Sequence, residues 1–280
     1  MEPFEINLIS NTIPFDDAYA NMWRPAPELK FLKNLQTFNG ISVFVDDLIP
    51  QVDSVDSPLK IAWLAEPPVI KPAPYQWMLK KEYREKFDYI LSFSEEVVSI
   101  DDGKGILLPY GACWITERNS KIYEKSKMLS IVASNKNYAP GHQLRHQVIK
   151  NIDPGWEIHG SGYNFFPHTE EGRLIPFKDY RYSVVIENCN LPNYFTDKLI
   201  DCFATGTIPI FWGLPNIEEY FNMDGILVFH NQKELEDALA NISEEAYNSR
   251  MDAIKDNFSR VSKWDSPDRN LLNIILEITI

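Results

Sequence analysis

The sequence predicts an α/β protein made of two Rossmann-like domains, each with a parallel sheet, and with a cleft between them. Its 280 residues are enough for about two domains. Short apolar runs alternate with helical patterns, which is the order that produces parallel sheets. A polar segment, ERNSKIYEKSK at residues 117–127, divides this alternation into two sets. We therefore expect an N-terminal domain over 1–122, a C-terminal domain over 123–265, and a terminal helix over 266–280 that packs back toward the N-terminal domain.

The first set begins with a run that is typical of a buried strand and continues with four more. We expect these strands at residues 4–10, 41–45, 60–65, 89–93 and 106–109. Two helices are expected between them, at 27–38 and at 75–87. The first of these helices is predicted because leucines recur there at threefold spacing and Gly40 follows.

The second set has the same alternation of strands and helices. Strands are expected at residues 128–133, 156–160, 183–186, 207–212 and 225–229. Helices are expected at 141–151, 233–242, 244–261 and 269–280, and one more follows the strand at 183–186. For that helix Thr196 is the expected N-cap and Gly206 the residue that ends it.

Composition excludes several classes of protein. The formal net charge is -13 and the basic residues are scattered, which argues against a nucleic-acid partner. Three cysteines are too few, and odd in number, for a disulfide framework, and they show no metal spacing, so we expect a reducing cytoplasm. The first residues lack the features of a signal peptide, and no uncharged apolar run approaches the ~18 residues of a membrane span.

The most informative stretch is residues 182–220, where polar side chains gather between a strand and a helix. They are Glu187, Asn188, Tyr194, Thr196, Asp197 and Lys198. Ligands of open α/β sheets bind at this place, and a helix N-terminus there favours an anion. Asp197 can accept both hydroxyls of a ribose, while Lys198 can neutralise a phosphate. The stretch predicts a nucleotide diphosphate site; the alternative is a capping Asp197 beside a solvated Lys198.

The residues of this stretch resemble the donor-binding motif of the α-1,3/1,4-fucosyltransferases. The chain reads EN, then residues 189–193, then YFTDK and, further on, GTIPIFWGLPNI. The family pattern is ENS/T…Y-x-T-E-K…G-x-P-[IV]-[VY]-x-G. Elsewhere the resemblance lies in layout more than in letters. It implies a GT-B fold, a GDP-linked sugar donor with L-fucose as the favoured sugar, a glycan acceptor, inversion at the anomeric carbon and no essential metal.

The resemblance also implies roles for individual residues. Asn188, Tyr194 and Lys198 would contact the nucleotide diphosphate, and Glu187 and Thr196 complete the donor-binding set. Asp197 stands where the family has a glutamate that holds the ribose, and its side chain is shorter by one methylene. This difference motivates the alternative of another nucleotide-sugar donor. Cys189 replaces a serine or threonine.

Arg145, in SNKNYAPGHQLRH, matches the family's arginine that reaches the diphosphate, and a guanidinium suits that task. The alternative is a solvated helix arginine. His142 and His146 lie four apart on the same predicted helix, but the sequence shows no third metal ligand.

Catalysis needs a base for the acceptor hydroxyl and cations for the departing diphosphate. Arg145 and Lys198 would supply the charge. Glu66, at the end of the strand in LKIAWLAEPP, resembles the family's acidic residue and is the expected base; the alternative is that it caps a turn. The competing carboxylates are Asp16, Asp17, Asp46 and Asp47.

The favoured function is therefore an inverting, metal-independent glycosyltransferase. Two alternatives stay open: a glycosyltransferase with another nucleotide-sugar donor, and a nucleotide- or carbohydrate-binding protein without catalysis. The tail LLNIILEITI could instead lie on a membrane surface, although packing against the N-terminal domain is favoured.

Overall fold

The computed structural model describes residues 2–11, 23–151 and 155–279. The chain divides into two compact units. The first consists of Met1–Tyr110, Pro192–Tyr194 and Ser266–Ile280, and the second of Gly111–Leu191 and Phe195–Asp265.

The first unit ends earlier than the sequence predicted, at Tyr110 rather than at residue 122. Residues just after this point are bonded to the second unit: the Cys113 N–H donates to the Asp265 carbonyl at 2.9 Å, and the Trp114 N–H to Asp201 Oδ1 at 2.7 Å. Ile115 lies in the hydrophobic core of that unit. The polar segment at 117–127 is therefore an internal part of the second unit.

The described residues form one sheet in each unit, and every strand pair in both sheets is parallel, as predicted. The first sheet has the order β2-β1-β3-β4-β5-β6, with β1 Phe4–Ile9, β2 Leu29–Lys33, β3 Ile41–Val45, β4 Leu59–Leu64, β5 Tyr89–Ser92 and β6 Gly105–Leu107. The second has the order β11-β10-β9-β7-β8, with β7 Lys127–Val132, β8 Glu157–His159, β9 Tyr180–Ile186, β10 Ile208–Trp212 and β11 Leu227–Val228.

Helices lie between these strands and after the last of them, and several are short. They are α1 Pro72–Met78, α2 Lys81–Arg84, α3 Glu95–Val98, α4 Pro140–Asn151, α5 Glu170–Leu174, α6 Asp197–Thr205, α7 Gln232–Ala240, α8 Glu244–Asn248, α9 Met251–Trp264 and α10 Pro267–Thr279. Segments of 3₁₀ helix cover Asp46–Ser54, Glu117–Asn119, Ile217–Glu219 and Met223–Gly225. The helices expected at 75–87 and 244–261 are each divided in two, as α1 with α2 and α8 with α9.

The helix predicted at 27–38 is wrong, because this segment contains the edge strand β2. Leu29 and Phe31 are buried while Lys30 between them is exposed, which is the alternation of a strand. Leu35, which the threefold spacing placed on a buried helix face, is exposed. Pairing with β1 satisfies the backbone of this segment in a way that the local leucine spacing did not indicate.

One apolar cluster of the first unit lies between its sheet and α10. Leu271, Leu272 and Ile275 of α10 are buried in the same cluster as residues of β1 and β2. The second unit has one apolar cluster on each side of its sheet, the first around α6 and α9 and the second around α4 and α7. In the part of the chain that the structure describes, no helix is long and apolar enough to cross a bilayer.

Candidate active site

The second unit buries a carboxylate at the carboxyl end of β9. Glu187 is 0% exposed. Its Oε1 accepts the Thr196 N–H at 2.8 Å, and the Thr196 hydroxyl lies 3.0 Å from both carboxylate oxygens. Lys198 Nζ donates to Glu187 Oε2 at 3.0 Å. The carboxylate therefore ties the end of β9 to the start of α6.

Thr196 is the N-cap of α6, as predicted, since its side chain accepts the Lys198 N–H. Its hydroxyl oxygen also accepts from Lys198 Nζ at 2.6 Å. Gly206 ends the helix in the left-handed conformation, with φ 72°, which is also as predicted. The positive end of the helix and the Lys198 ammonium thus lie at one place, which is suited to an anion.

Arg145 of α4 reaches the same end of β9 and is 3% exposed, so the solvated alternative is wrong. Its Nε donates to the Ile186 carbonyl at 2.9 Å, and Nη2 donates to that carbonyl and to Asn188 Oδ1 at 3.2 Å. The structure therefore brings Arg145, Asn188, Glu187 and Lys198 together, as the sequence predicted.

His142, one turn before Arg145, is buried and neutral. Its Nδ1 accepts the Ala139 N–H at 3.2 Å. Burial first, and then the positive charges of Arg145, Lys136 and Lys198, lower the pKa of His142 to about 4. His146 instead lies by the Lys136 carbonyl, 2.9 Å from its Nε2. Among the described residues, no three His, Cys, Asp or Glu side chains gather as metal ligands.

Asp197 and Lys198 occupy the first turn of α6, and both side chains are partly exposed. One turn further, the carboxylate of Asp201 is buried and accepts the Trp114 N–H. Burial, followed by the charge of Asp197, raises the pKa of Asp201. Asp197 is therefore the partly exposed carboxylate of the pair, which suits it to bind hydroxyl groups of a ligand.

Tyr194 belongs to the first unit rather than to the cluster at β9 and α6. Its ring is 2% exposed and lies 5.1 Å from that of Phe93, centroid to centroid. The contact between Tyr194 and a diphosphate stays a prediction.

In the first unit, Glu66 follows the carboxyl end of β4 and is half-buried. Its carbonyl accepts the Tyr75 hydroxyl at 2.9 Å. Its N–H, with that of Ala65, is bonded to the buried Asp46 carboxylate at 3.3 and 2.9 Å respectively. Asp47 pairs with Lys71.

The competing carboxylates thus have different surroundings. Asp46 is engaged with backbone N–H groups, and burial raises its pKa to about 7. Asp16 and Asp17 lie outside the described residues. Of the three described carboxylates Asp46, Asp47 and Glu66, Glu66 remains the candidate base.

Asp201 and Arg173 are among the buried charged residues of the second unit that sequence reasoning missed. Asp201 lies among apolar residues of a helix, and an acidic residue in a helix is ordinarily predicted to be exposed to solvent. Arg173 lies in the five-residue helix α5, which the sequence analysis did not predict. Neither belongs to a motif, so only the packing reveals them.

The GT-B class of glycosyltransferase folds has two parallel-sheet α/β units, and solved structures of that class resemble this chain. A crystal structure of an α1,3-fucosyltransferase matches 89% of this chain and 82% of its own with a TM-score of 0.57 and 17% identity. The apo structure of the lipopolysaccharide outer core galactosyltransferase WaaB matches 98% of this chain and 99% of its own, with a TM-score of 0.58 and 11% identity. At these identities the likeness shows the fold.

The sequence comparisons confirm the predicted family resemblance: residues 122–256 match the model of the glycosyltransferase family 10 (fucosyltransferase) C-terminal domain. The α-(1,3)-fucosyltransferase FucT of Helicobacter pylori is 29% identical over 117 residues, which are 41% of this chain and 24% of that protein. The 4-galactosyl-N-acetylglucosaminide 3-α-L-fucosyltransferase 9 of Homo sapiens is 31% identical over 121 residues, 42% of this chain and 32% of that protein. The match thus spans about a quarter to a third of these relatives.

Proposed function

We propose that this chain is a glycosyltransferase that moves a sugar, with L-fucose favoured, from a GDP-sugar to a hydroxyl group of a glycan. The observation that carries the proposal is the cluster at the start of α6, where Lys198 and the N-cap Thr196 are bonded to the buried Glu187. This cluster lies inside the segment that matches the fucosyltransferase model. A related fold has been solved as an α1,3-fucosyltransferase with GDP-fucose, which supports the choice of donor.

The donor's parts match the chemistry of the cluster. The helix N-terminus, Lys198 and the Arg145–Asn188 pair provide N–H donors and positive charge for a diphosphate. Asp197 provides a carboxylate for the two ribose hydroxyls. As the bond to the sugar breaks, negative charge grows on the diphosphate, and the same cations stabilise it.

The acceptor hydroxyl must lose a proton as its oxygen bonds to the anomeric carbon. In the proposed inverting reaction, the acceptor oxygen attacks the face opposite the departing diphosphate, a base takes its proton, and GDP leaves with the electron pair of the broken bond. Glu66 is the proposed base because it is a half-buried carboxylate at the carboxyl end of a strand. Its backbone is held by Asp46 and Tyr75.

The test is mass spectrometry of products from GDP-fucose and other GDP- and UDP-sugars against a panel of oligosaccharides. We expect transfer from a GDP-sugar with release of GDP, and the same rate in EDTA. Glu66→Gln should bind GDP like the wild type and lose at least about 100-fold in turnover, the usual contribution of a general base. Asp47→Asn, which changes the neighbouring carboxylate, is the matched control and should retain turnover.

Each contrary outcome changes a different part of the proposal. Binding of UDP without binding of GDP would assign another donor. GDP binding with neither transfer nor donor hydrolysis would indicate a binding protein without catalysis. Wild-type turnover by Glu66→Gln would place the base elsewhere.

A further inference from the structure

Arg173 of α5 is a buried arginine that the proposed mechanism does not use. It is 8% exposed. Its guanidinium carbon lies 3.8 Å from the ring centroid of Trp114, so the guanidinium stacks on the indole. Nη2 donates to His168 Nδ1 at 2.6 Å, which holds the guanidinium plane in one orientation.

The hydrogen bonding of this guanidinium is incomplete. Its buried Nε–H has no acceptor among the described residues, and no carboxylate oxygen of those residues lies within the 4.0 Å of an ion pair. Burial lowers the pKa of Arg173, and the more distant charges of Asp197 and Asp201 raise it. A buried cation without a paired anion costs free energy, and each remaining N–H costs more if it stays unsatisfied. A bound ligand that carries hydrogen-bond acceptors would satisfy the remaining N–H groups of Arg173.

The position of Arg173 relative to α6 indicates which part of a ligand it would meet. Lys198 turns toward Glu187, at the end of β9 where Arg145 and Asn188 lie. Asp197 and Asp201 share the next face of α6, because they are four residues apart. Asp201 on that face is bonded to the backbone of Trp114, on which Arg173 stacks.

The side chains therefore follow an order across the start of α6: cations for a diphosphate, then Asp197 for a ribose, then Arg173 on Trp114. A nucleotide has the same order of phosphate, ribose and base. We propose that Arg173, stacked on Trp114, binds the base of the donor nucleotide and selects guanine. This inference rests on the proposed function, since it assumes that a nucleotide occupies the start of α6.

Guanine is the base whose edge fits this group. Its O6 and N7 are adjacent acceptors that take two parallel N–H bonds from one guanidinium. Adenine places an amino donor beside N7 instead, and the pyrimidines lack N7. The stacked Trp114 leaves the guanidinium less free to rotate, so less entropy is lost when it binds.

The experiment is isothermal titration calorimetry of GDP, ADP and inorganic pyrophosphate with the wild type, Arg173→Met and Arg173→Lys. A bidentate contact is worth about 1–3 kcal/mol, so we expect GDP to bind about 5- to 150-fold more weakly to both variants. Pyrophosphate affinity and the weak ADP affinity should stay unchanged. Arg181→Met is the matched control: its arginine is similarly buried, but pairs with Glu244 near the opposite end of β9.

A second measurement needs no substitution in the protein. In 7-deaza-GDP the N7 acceptor is replaced by a C–H group, so the wild type should bind it at least about 5-fold more weakly than GDP. Equal affinity of the wild type for the two ligands would overturn the inference, as would equal GDP affinity of the folded Arg173 variants. A parallel loss of pyrophosphate affinity would show that Arg173 binds a phosphate and not the base. If the wild type binds no GDP at all, the proposed function fails, and not this contact alone.

Discussion

Lys198 has a structural task as well as a proposed one in donor binding. Its ammonium is the cation that pairs with Glu187, a carboxylate with no exposed surface. A buried carboxylate that loses its cation is costly, because the Coulomb attraction no longer offsets desolvation. Loss of donor binding in a Lys198 variant would therefore mix two effects, one on the fold and one on the site.

We predict that Lys198→Met lowers the free energy of unfolding by about 3–5 kcal/mol, the range for breaking a buried ion pair. Lys198→Met combined with Glu187→Gln should recover at least half of this loss, since the neutral amide oxygen can still accept the Thr196 N–H. Urea unfolding measures both. Lys255→Met on α9, where the side chain is 63% exposed, is the control. An unchanged stability of Lys198→Met would mean that Glu187 is satisfied without its cation.

At the scale of single residues, the sequence indicated those site members that lie in one contiguous motif. Glu187, Asn188 and Lys198 share a strand–loop–helix connection, so their spacing alone predicts that they meet. Arg145 was reached through the resemblance. Arg173 was not, because its stacking on Trp114 joins two segments that no local pattern links.

At the scale of elements, the contact between α4 and the end of β9 positions Arg145. Gly141 allows this contact: its N–H donates to the Asn188 carbonyl at 3.0 Å, and a Cβ at this position would lie 1.7 Å from the Glu187 carbonyl oxygen. Backbone atoms cannot move aside as the end of a flexible side chain can. The second residue of the helix must therefore have no side chain.

We predict that Gly141→Ala destabilises the protein by about 1–3 kcal/mol, as overpacking does, and weakens GDP binding at least as much as Arg145→Gln does. The reason is that the substitution forces α4, with Arg145, away from β9. Thermal unfolding and GDP titration check the two effects. Gln143→Ala, at an exposed position of the same helix, should change neither. Normal GDP affinity in Gly141→Ala would show that α4 does not position the site.

Strands were predicted better than helices, for a physical reason. Continuous β-branched runs such as β3 and β9 are buried on both faces, and few other structures tolerate them. The edge strand β2 has only a short alternating pattern, and its leucine spacing fits a helix equally well. The segment becomes a strand because it pairs with β1, which lies far away in the sequence. Tertiary contacts therefore override local pattern where the pattern is short.

At the scale of the whole molecule, each unit buries a carboxyl group whose pKa is raised, Asp46 in the first and Asp201 in the second. For Asp46, desolvation raises the pKa from 3.8 to about 7. Between pH 3.8 and about pH 7, Asp46 keeps a proton in the folded state that it has lost in the unfolded state, so the free energy of unfolding falls as pH rises. His142, with its pKa lowered to about 4, acts in the opposite direction between that pH and 6.5.

We predict that Asp46→Asn removes the Asp46 part of this pH dependence. The substitution keeps an acceptor for the Ala65 N–H, and asparagine tolerates the left-handed backbone of this position, with φ 46°. The variant should match the wild type near pH 4 and exceed it near pH 7, by at most about 4 kcal/mol for a shift of about three pKa units. Denaturant unfolding of both proteins across this range measures the difference, in which the contribution of His142 cancels. Asp53→Asn, where the side chain is 69% exposed, should follow the wild type. A difference that is independent of pH would mean that Asp46 is ionised in the folded protein throughout this range, with its two backbone N–H bonds outweighing its burial.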